Sequence, residues 1–421
     1  MSSHYQRVKS YLELGLIVLW VLSGGGVYYV LARNVATAAL FLYTAALFII
    51  YRPKIKNVLL NYSIYILLLI IFCLWLCFIR GAPPQDPTKY LYILIAFIIS
   101  GAICIYFFAS FTYTEFITLF YKGLNVIRIH AILSALFMPF LIRYSTIVDN
   151  DYGFNAYSFK YLFFMRSDQY AFNLLGLSFY RNQSLFWEPG VLQFYLNLFL
   201  FLQLYIFKVS RKTIFLTVFA IIVTYSTTAY ACMLLILSVY ILNLVRKKPL
   251  TAILGSFAIL AITPLFVANL QNKFQGNNQT SALVRLYDIT EQMLVIEDYF
   301  LTGVGLDDGT YAEVRTHYRL SGDLSNLIDF NGAERGSTNS IMFVLGTLGV
   351  FMGGWWIISY TKQQFIRGQK LVLTIFLLIS VSTEPLLLKP FFMTLIISGM
   401  IFTFVRFKYP QIKSLWKSEE Y

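Results

Sequence analysis

The chain has 421 residues, of which 58% are hydrophobic, 18% aromatic and only 13% charged, with a mean hydropathy of +0.67. A soluble domain is nearer a quarter charged, and the apolar residues here form continuous runs close to the roughly 20 that a membrane helix needs. They do not form the alternating strands of about ten residues that mark an outer-membrane barrel. The expectation is an all-α polytopic membrane protein, one integral membrane domain over residues 1–421.

A net charge of +13 could point to nucleic acid, but its distribution excludes that partner. Lys and Arg cluster in short connections between apolar runs, the positive-inside pattern. Eighteen of the 33 fall at 7–9, 52–56, 208–212, 246–248, 362–370 and 406–417, segments without Asp or Glu. This puts both termini in the cytoplasm. Cys73, Cys77, Cys104 and Cys232 lie inside apolar runs, and the three histidines lack ligand spacing. Neither a disulfide framework nor a metal site is expected, and no cofactor motif is present.

In chain order, the first four spans read as about 11–31, 35–51, 59–79 and 89–110. Residues 111–123 read as an interfacial segment. The fifth span is then 124–142, with Arg128 and His130 in its first turns, snorkelling toward cytoplasmic headgroups. A polar, aromatic-rich loop follows at 143–188. Further spans come at 189–207, as two short pieces within 213–245, and at 250–270. A second large hydrophilic segment, 271–335, contains an amphipathic helix at 281–300. Its stripe of Leu283, Leu286, Tyr287, Met293, Leu294 and Phe300 leaves Arg285 and Asp288 outside. Gly303-Val304-Gly305 breaks it. The last three spans start near Ser337, after Lys370 and at Pro390. The first of these carries Gly346, Gly349, Gly353 and Gly354, which permit close helix contact. The total is about twelve transmembrane helices, with both large loops on the extracytoplasmic face.

The stretch Arg181-Asn-Gln-Ser-Leu-Phe-Trp-Glu188-Pro189-Gly190 stands at the mouth of the sixth span. Proline suits a first helical turn, where its missing N–H is not needed. Charged groups at such depth are costly without partners and therefore mark a functional site; the plain alternative is a carboxylate capping the helix. The two large loops are rich in arginine and aromatic residues. Arg166 and Arg181 lie in the first; Arg285, Arg315, His317, Arg319 and Arg335 lie in the second. Arginine offers a permanent charge and a fork for phosphate oxygens, and aromatic faces suit sugar rings, so an anionic, carbohydrate-bearing ligand is expected. Each residue also has a structural reading. Arg285 and Asp288 are spaced as a surface ion pair. Arg335 stands where an interfacial anchor would, and Arg315 and Arg319 are spaced to meet headgroups. Asn339 suits a helix cap, and Glu384, before Pro385, suits a turn, with a place lining the same cavity as the alternative.

Taken in order, Arg-x6-Glu-Pro-Gly at a span mouth, Ser226-Thr-Thr in a short hairpin, Gly303-Val-Gly305, and Asn339 with Gly349 ten residues on resemble the O-antigen polymerase and ligase superfamily of membrane glycosyltransferases. The resemblance covers roughly residues 180–355. It implies a GT-C-like arrangement in a bacterial inner membrane with the active site facing the periplasm. The implied substrates are oligosaccharides on undecaprenyl diphosphate, with membrane lipid around them and a chain-length regulator protein as partner. The ligase branch carries His-Asn where this chain has Thr338-Asn339, which favours the repeat-unit polymerase. The expected reaction is inverting and metal-independent. Arg181 and Arg285 stabilise the leaving diphosphate, with Arg335 as a third candidate, and Glu188 acts as general base, with His317 as the alternative. Asn339, Arg166, Arg315 and Arg319 complete the substrate-binding set. The alternatives are an O-antigen ligase, or a flippase for the same lipid-linked sugars. The largely uncharged spans and unmatched halves argue against the flippase.

Overall fold

The computed structural model describes residues 3–149, 155–174, 177–245, 249–275, 279–318, 339–412 and 414–417. Among the described residues, eight helices are long and apolar enough to cross a membrane. The protein is thus a polytopic helical membrane protein. The chain opens with α1 (Ser3–Leu22), the short α2 (Tyr28–Leu31), α3 (Arg33–Tyr51), α4 (Asn57–Arg80), α5 (Pro87–Ser110) and α6 (Tyr113–Leu141). After a β-sheet come α7 (Pro189–Leu202), α8 (Arg211–Ile222), α9 (Thr227–Val245), α10 (Pro249–Gln275), α11 (Gln279–Asp298) and α12 (Asp308–His317). The last three are α13 (Ser340–Thr361), α14 (Lys370–Ser382) and α15 (Pro390–Lys408). The four expected spans outside the eight are also helices: α1, α8, α10 and α14. Of these, α8 and α14 have only 12 and 13 residues.

α7 lies at the centre of the bundle. Every residue from Pro189 to Leu202 is buried, including Gln193 and Asn197. A helix apolar on all sides belongs inside a bundle. Its two amides pair with each other, Asn197 Nδ2 donating to Gln193 Oε1 at 2.9 Å and to the Ala229 carbonyl at 3.2 Å. Around the axis, Trp20 packs against Phe391 and Phe107, with ring centroids 4.4 and 5.2 Å apart.

Four features depart from the sequence expectation. α1 ends at Leu22 because Gly24-Gly25-Gly26 follows, with Gly25 at φ +134°. Residues 111–123 are not an interfacial segment but the first turns of α6. Thr112 and Glu115 form a reciprocal capping box that starts the helix at Tyr113, satisfying two otherwise orphaned N–H groups. Arg128 and His130 therefore sit in its second half. The loop at 143–188 is not irregular, so the fold is not purely α. It contains an antiparallel meander of β1 (Thr146–Asp149), β2 (Asn155–Phe159), β3 (Phe163–Leu174) and β4 (Leu177–Asn182). Aromatic residues recur through these strands, as a pleated, half-buried surface favours. Finally, the described part of α11 does not bury its expected stripe. Asp288, Glu291, Gln292 and Val295 are buried, while Met293 is 59% exposed.

The glycines expected to bring helices together instead support an exchange of backbone bonds. α13 is kinked at Gly349, whose φ is +75°. The kink frees the Gly346 and Thr347 carbonyls, which accept from Val304 N (2.8 Å) and Gly305 N (3.0 Å), while Val350 N donates to the Phe300 carbonyl (2.8 Å). A Cβ on Gly349 would lie 2.3 Å from the Leu301 carbonyl oxygen. The backbone groups that leave the helix ladder are thus paired with residues 300–305.

Candidate functional site at the mouth of α7

The sheet brings its arginines to α7 by simple alternation. Successive strand residues face opposite sides. Phe164 packs with Val27 and beside Trp187, whereas Met165 packs with Met138 of α6 and with Tyr180. Met165 also pairs across the ladder with Asn182, whose Nδ2 donates to the Ala131 carbonyl of α6 at 2.8 Å. Arg166 and Arg181 occupy the alternate positions; Arg166 lies on the side of Glu188, and the Arg181 charge acts on Tyr230 of α9. Arg166 Nη1 meets Glu188 Oε1 at 3.3 Å, with side chains 17% and 29% exposed.

Glu188 is the residue at the N-cap of α7, yet its side chain makes no capping hydrogen bond. The simple capping reading therefore fails, and the carboxylate is turned to Arg166. The segment from Asn182 to Glu188 is held firmly behind it. Asn182 N donates to the Val223 carbonyl, Val27 N to the Leu185 carbonyl, and Trp187 N to the Gly25 carbonyl. His130 Nδ1 meets Ser184 Oγ at 2.7 Å and its Nε2 meets the Leu162 carbonyl at 3.0 Å. His130 thus ties α6 to both the sheet and the Glu188 segment, a role opposite to the expected snorkelling.

A second carboxylate reaches the same helix start. A Cβ on Gly190 would lie 1.8 Å from Glu384 Oε1, so Gly190 is the residue that admits Glu384 to the first turn of α7. There the helix dipole favours a negative charge. Glu384 is only 4% exposed. It stands in the turn between α14 and α15. At 1.5 Å per residue α14 is roughly 20 Å long, too short to cross a core of about 30 Å, so this turn lies within the membrane's thickness. Irregular backbone at such depth must be satisfied by protein, and Ser340 does this. Its Oγ donates to the Glu384 carbonyl and accepts from Leu386 N, both at 2.5 Å, and from Leu387 N at 3.3 Å. Next to it, Asn339 Oδ1 caps α13 by accepting from Ile341 N and Met342 N at 3.0 and 3.2 Å. Three chain segments meet here: β3 to α7, the start of α13, and the α14–α15 turn.

The remaining candidates fall elsewhere. Arg315 Nη2 contacts Asp288 Oδ1 at 2.7 Å and Glu291 Oε2 at 2.9 Å, joining α12 to the buried face of α11. Asp288 is thereby a partner of Arg315; the expected surface pair of Arg285 with Asp288 falls on a side chain outside the described residues. His317 is exposed in the last turn of α12, where its Nδ1 lies 3.0 Å from the Glu313 carbonyl. Arg285 belongs to α11, its side chain outside the described residues; Arg319 and Arg335 lie outside them altogether. Sequence reading left Glu384 as a turn residue and did not single out Ser340. The available signal was the apolar run after Lys370, too short for a full span.

Residues 213–351 match the family model described as O-Antigen ligase. The match covers about a third of the chain, from α8 into α13. It includes Asn339, Gly346 and Gly349 and excludes Arg166, Arg181, Glu188 and Glu384. No curated protein and no solved structure matches the chain. The match supports a place in the O-antigen ligase and polymerase superfamily and an enzyme of surface-polysaccharide assembly acting on lipid-linked oligosaccharide. It does not separate polymerase from ligase.

Proposed function

We propose that the chain is a repeat-unit polymerase that joins oligosaccharides carried on undecaprenyl diphosphate, at the periplasmic face of a bacterial inner membrane. The observation that carries this reading is the Arg166–Glu188 pair at the mouth of α7, with Glu384 against Gly190 on the same turn. In the proposed step, a hydroxyl of the acceptor repeat unit attacks the anomeric carbon of the donor glycan. The bond from that carbon to the diphosphate oxygen breaks, and undecaprenyl diphosphate leaves with the electron pair. Glu188 takes the hydroxyl proton. Arg181 and Arg166 meet the charge that develops on the leaving diphosphate, aided by Arg285; such charge stabilisation is commonly the largest catalytic term. Arg166 also orients Glu188. Direct displacement inverts the anomeric centre, and the arginines supply the positive charge without a metal.

A second reading, transfer of the glycan to a lipid A–core acceptor, is favoured by the ligase description of the matched family; Thr338 before Asn339 weighs against it. The test is reconstitution of purified protein with a lipid-linked repeat unit in EDTA, with and without lipid A–core. A ladder of lengthening glycans from repeat unit alone, lost in Arg181→Ala, supports the polymerase. Product formed only with lipid A–core moves the assignment to the ligase, and loss of the ladder in EDTA ends the metal-independent mechanism.

A further inference from the structure

The β2–β3 hairpin lies alongside the last three turns of α6, with its own turn pointing back toward the middle of that helix. Phe163 stacks on the His130 ring, centroids 5.1 Å apart, and the neighbouring Leu162 carbonyl accepts from His130 Nε2. Further along both elements Met165 packs with Met138, joined by Leu141, Ile142, Tyr157 and Phe159. From His130 to Leu141 the helix rises roughly 16 Å at 1.5 Å per residue, so the hairpin turn sits that far inside the end of α6.

This stretch of α6 has the surface of a lipid-facing helix. α6 is among the helices long and apolar enough to cross a membrane. Its exposed face runs through Val126, Ile129, Leu133, Leu136, Phe137 and Phe140, and after Arg128 no Asp, Glu, Lys or Arg appears until Arg143. Arg143 and the exposed Tyr144 mark the headgroup level, where basic and aromatic residues gather at a membrane boundary. The hairpin turn continues the same surface. Tyr161 is 52% and Leu162 56% exposed, at the level of His130, with apolar helix surface extending well past them toward Arg143.

The turn keeps these side chains in spite of its backbone. Lys160 and Tyr161 have φ of +49° and +57°, and Leu162 N donates to the Phe159 carbonyl at 3.0 Å. Two consecutive positive φ values are ordinarily left to Gly and Asn, and other residues held there store strain. Neighbouring groups fix the conformation: Tyr28 Oη donates to the Tyr161 carbonyl at 2.5 Å, and Tyr161 N donates to Ser158 Oγ at 3.0 Å. Lys160 is bent back over the strand, its Nζ 5.9 Å from the centre of the Phe159 ring. A lysine whose stem rests in hydrocarbon turns its ammonium toward headgroups in this way.

We propose that the β2–β3 hairpin is a membrane wedge. Its tip, Lys160-Tyr161-Leu162, is inserted beside α6 into the leaflet on the sheet's side of the membrane. The occupant of the exposed face is lipid, because that face is continuous with the lipid-facing side of α6. Arg166 follows Met165 on β3, about two turns of α6 outward from the tip, so the wedge holds the Arg166–Glu188 pair near the Arg143 level, where lipid phosphates lie. A lipid-borne substrate would then reach the pair from within the bilayer. The insertion stands by itself; the identity of that substrate as a glycan diphosphate rests on the polymerase reading.

The test reads depth without catalysis. Nitroxide labels are placed on Tyr161→Cys, Leu162→Cys, Ile129→Cys and Tyr144→Cys of the full chain, in liposomes of phosphatidylethanolamine and phosphatidylglycerol. The native cysteines are buried or half-buried, so the parent labelled alike gives the background. Collisions with oxygen, which concentrates in hydrocarbon, are compared with those of a water-soluble nickel chelate. At 161 and 162 oxygen should dominate as it does at 129, and at 144 nickel should gain on oxygen. Nickel dominating at 161 and 162 while oxygen dominates at 129 overturns the wedge and puts the hairpin in water. All four positions are exposed, so the labels displace no packed side chain, and an unchanged melting temperature verifies each variant. Labels in hydrocarbon on a protein that forms no ladder leave the wedge standing and sink the polymerase reading; a ladder with both tip labels in water does the reverse.

Discussion

Two arginine–carboxylate clusters in this molecule use the same groups to opposite ends. On α11 and α12, Arg315 meets two carboxylates at 2.7 and 2.9 Å, and all three side chains are 14% exposed or less. At the mouth of α7, Arg166 meets one carboxylate at 3.3 Å, and the pair keeps 17% and 29% exposure. The first cluster has short contacts and little access to water. The second is longer and partly exposed. Short and closed describes a fastener; long and open describes groups that can change partners during a reaction.

The sharpest way to break this contrast is to remove the base. Glu188→Gln keeps the shape at the α7 mouth but cannot accept a proton. It should lower turnover by about 10²–10⁴-fold, the usual worth of general base catalysis, while melting temperature shifts little, because partly exposed ion pairs contribute about 1 kcal/mol or less. Stopped-time assays of ladder formation beside a thermal melt in detergent read both. Unchanged turnover would move the base elsewhere, with Glu384 first in line. Arg315→Ala should do the reverse. It leaves Asp288 and Glu291 buried without this cation, at a cost of about 3–5 kcal/mol. Loss of folded protein is expected, with near-normal turnover in whatever fraction survives. A well-folded but inactive Arg315→Ala would put this arginine in the site instead.

The contrast was only half legible in the sequence. The Arg-x6-Glu-Pro-Gly stretch identified the α7 mouth because a charged pair beside Pro-Gly at a membrane helix has few structural uses. Arg166 could be named but not placed, since its approach depends on a strand register that an aromatic-rich loop did not announce. Arg315 was misjudged for a related reason. The amphipathic rule assigns the apolar stripe to the interior, whereas Asp288 and Glu291 of α11 are buried with Arg315. Glu384 depends on the shortness of α14, and the span count near twelve concealed it. The capping box at Thr112 and Glu115 was readable from spacing alone, and reading it would have put α6 in its place.

A third comparison separates backbone from charge. Gly349 holds the kink that lets residues 300–305 pair with α13 through backbone groups alone. Gly349→Ala brings a Cβ to 2.3 Å from a backbone oxygen at φ +75°, and strain of this kind costs about 1–3 kcal/mol. The expected result is a lower melting temperature with the pH profile of the surviving activity unchanged. An altered profile would tie the clasp to the charged site and blur the distinction between them.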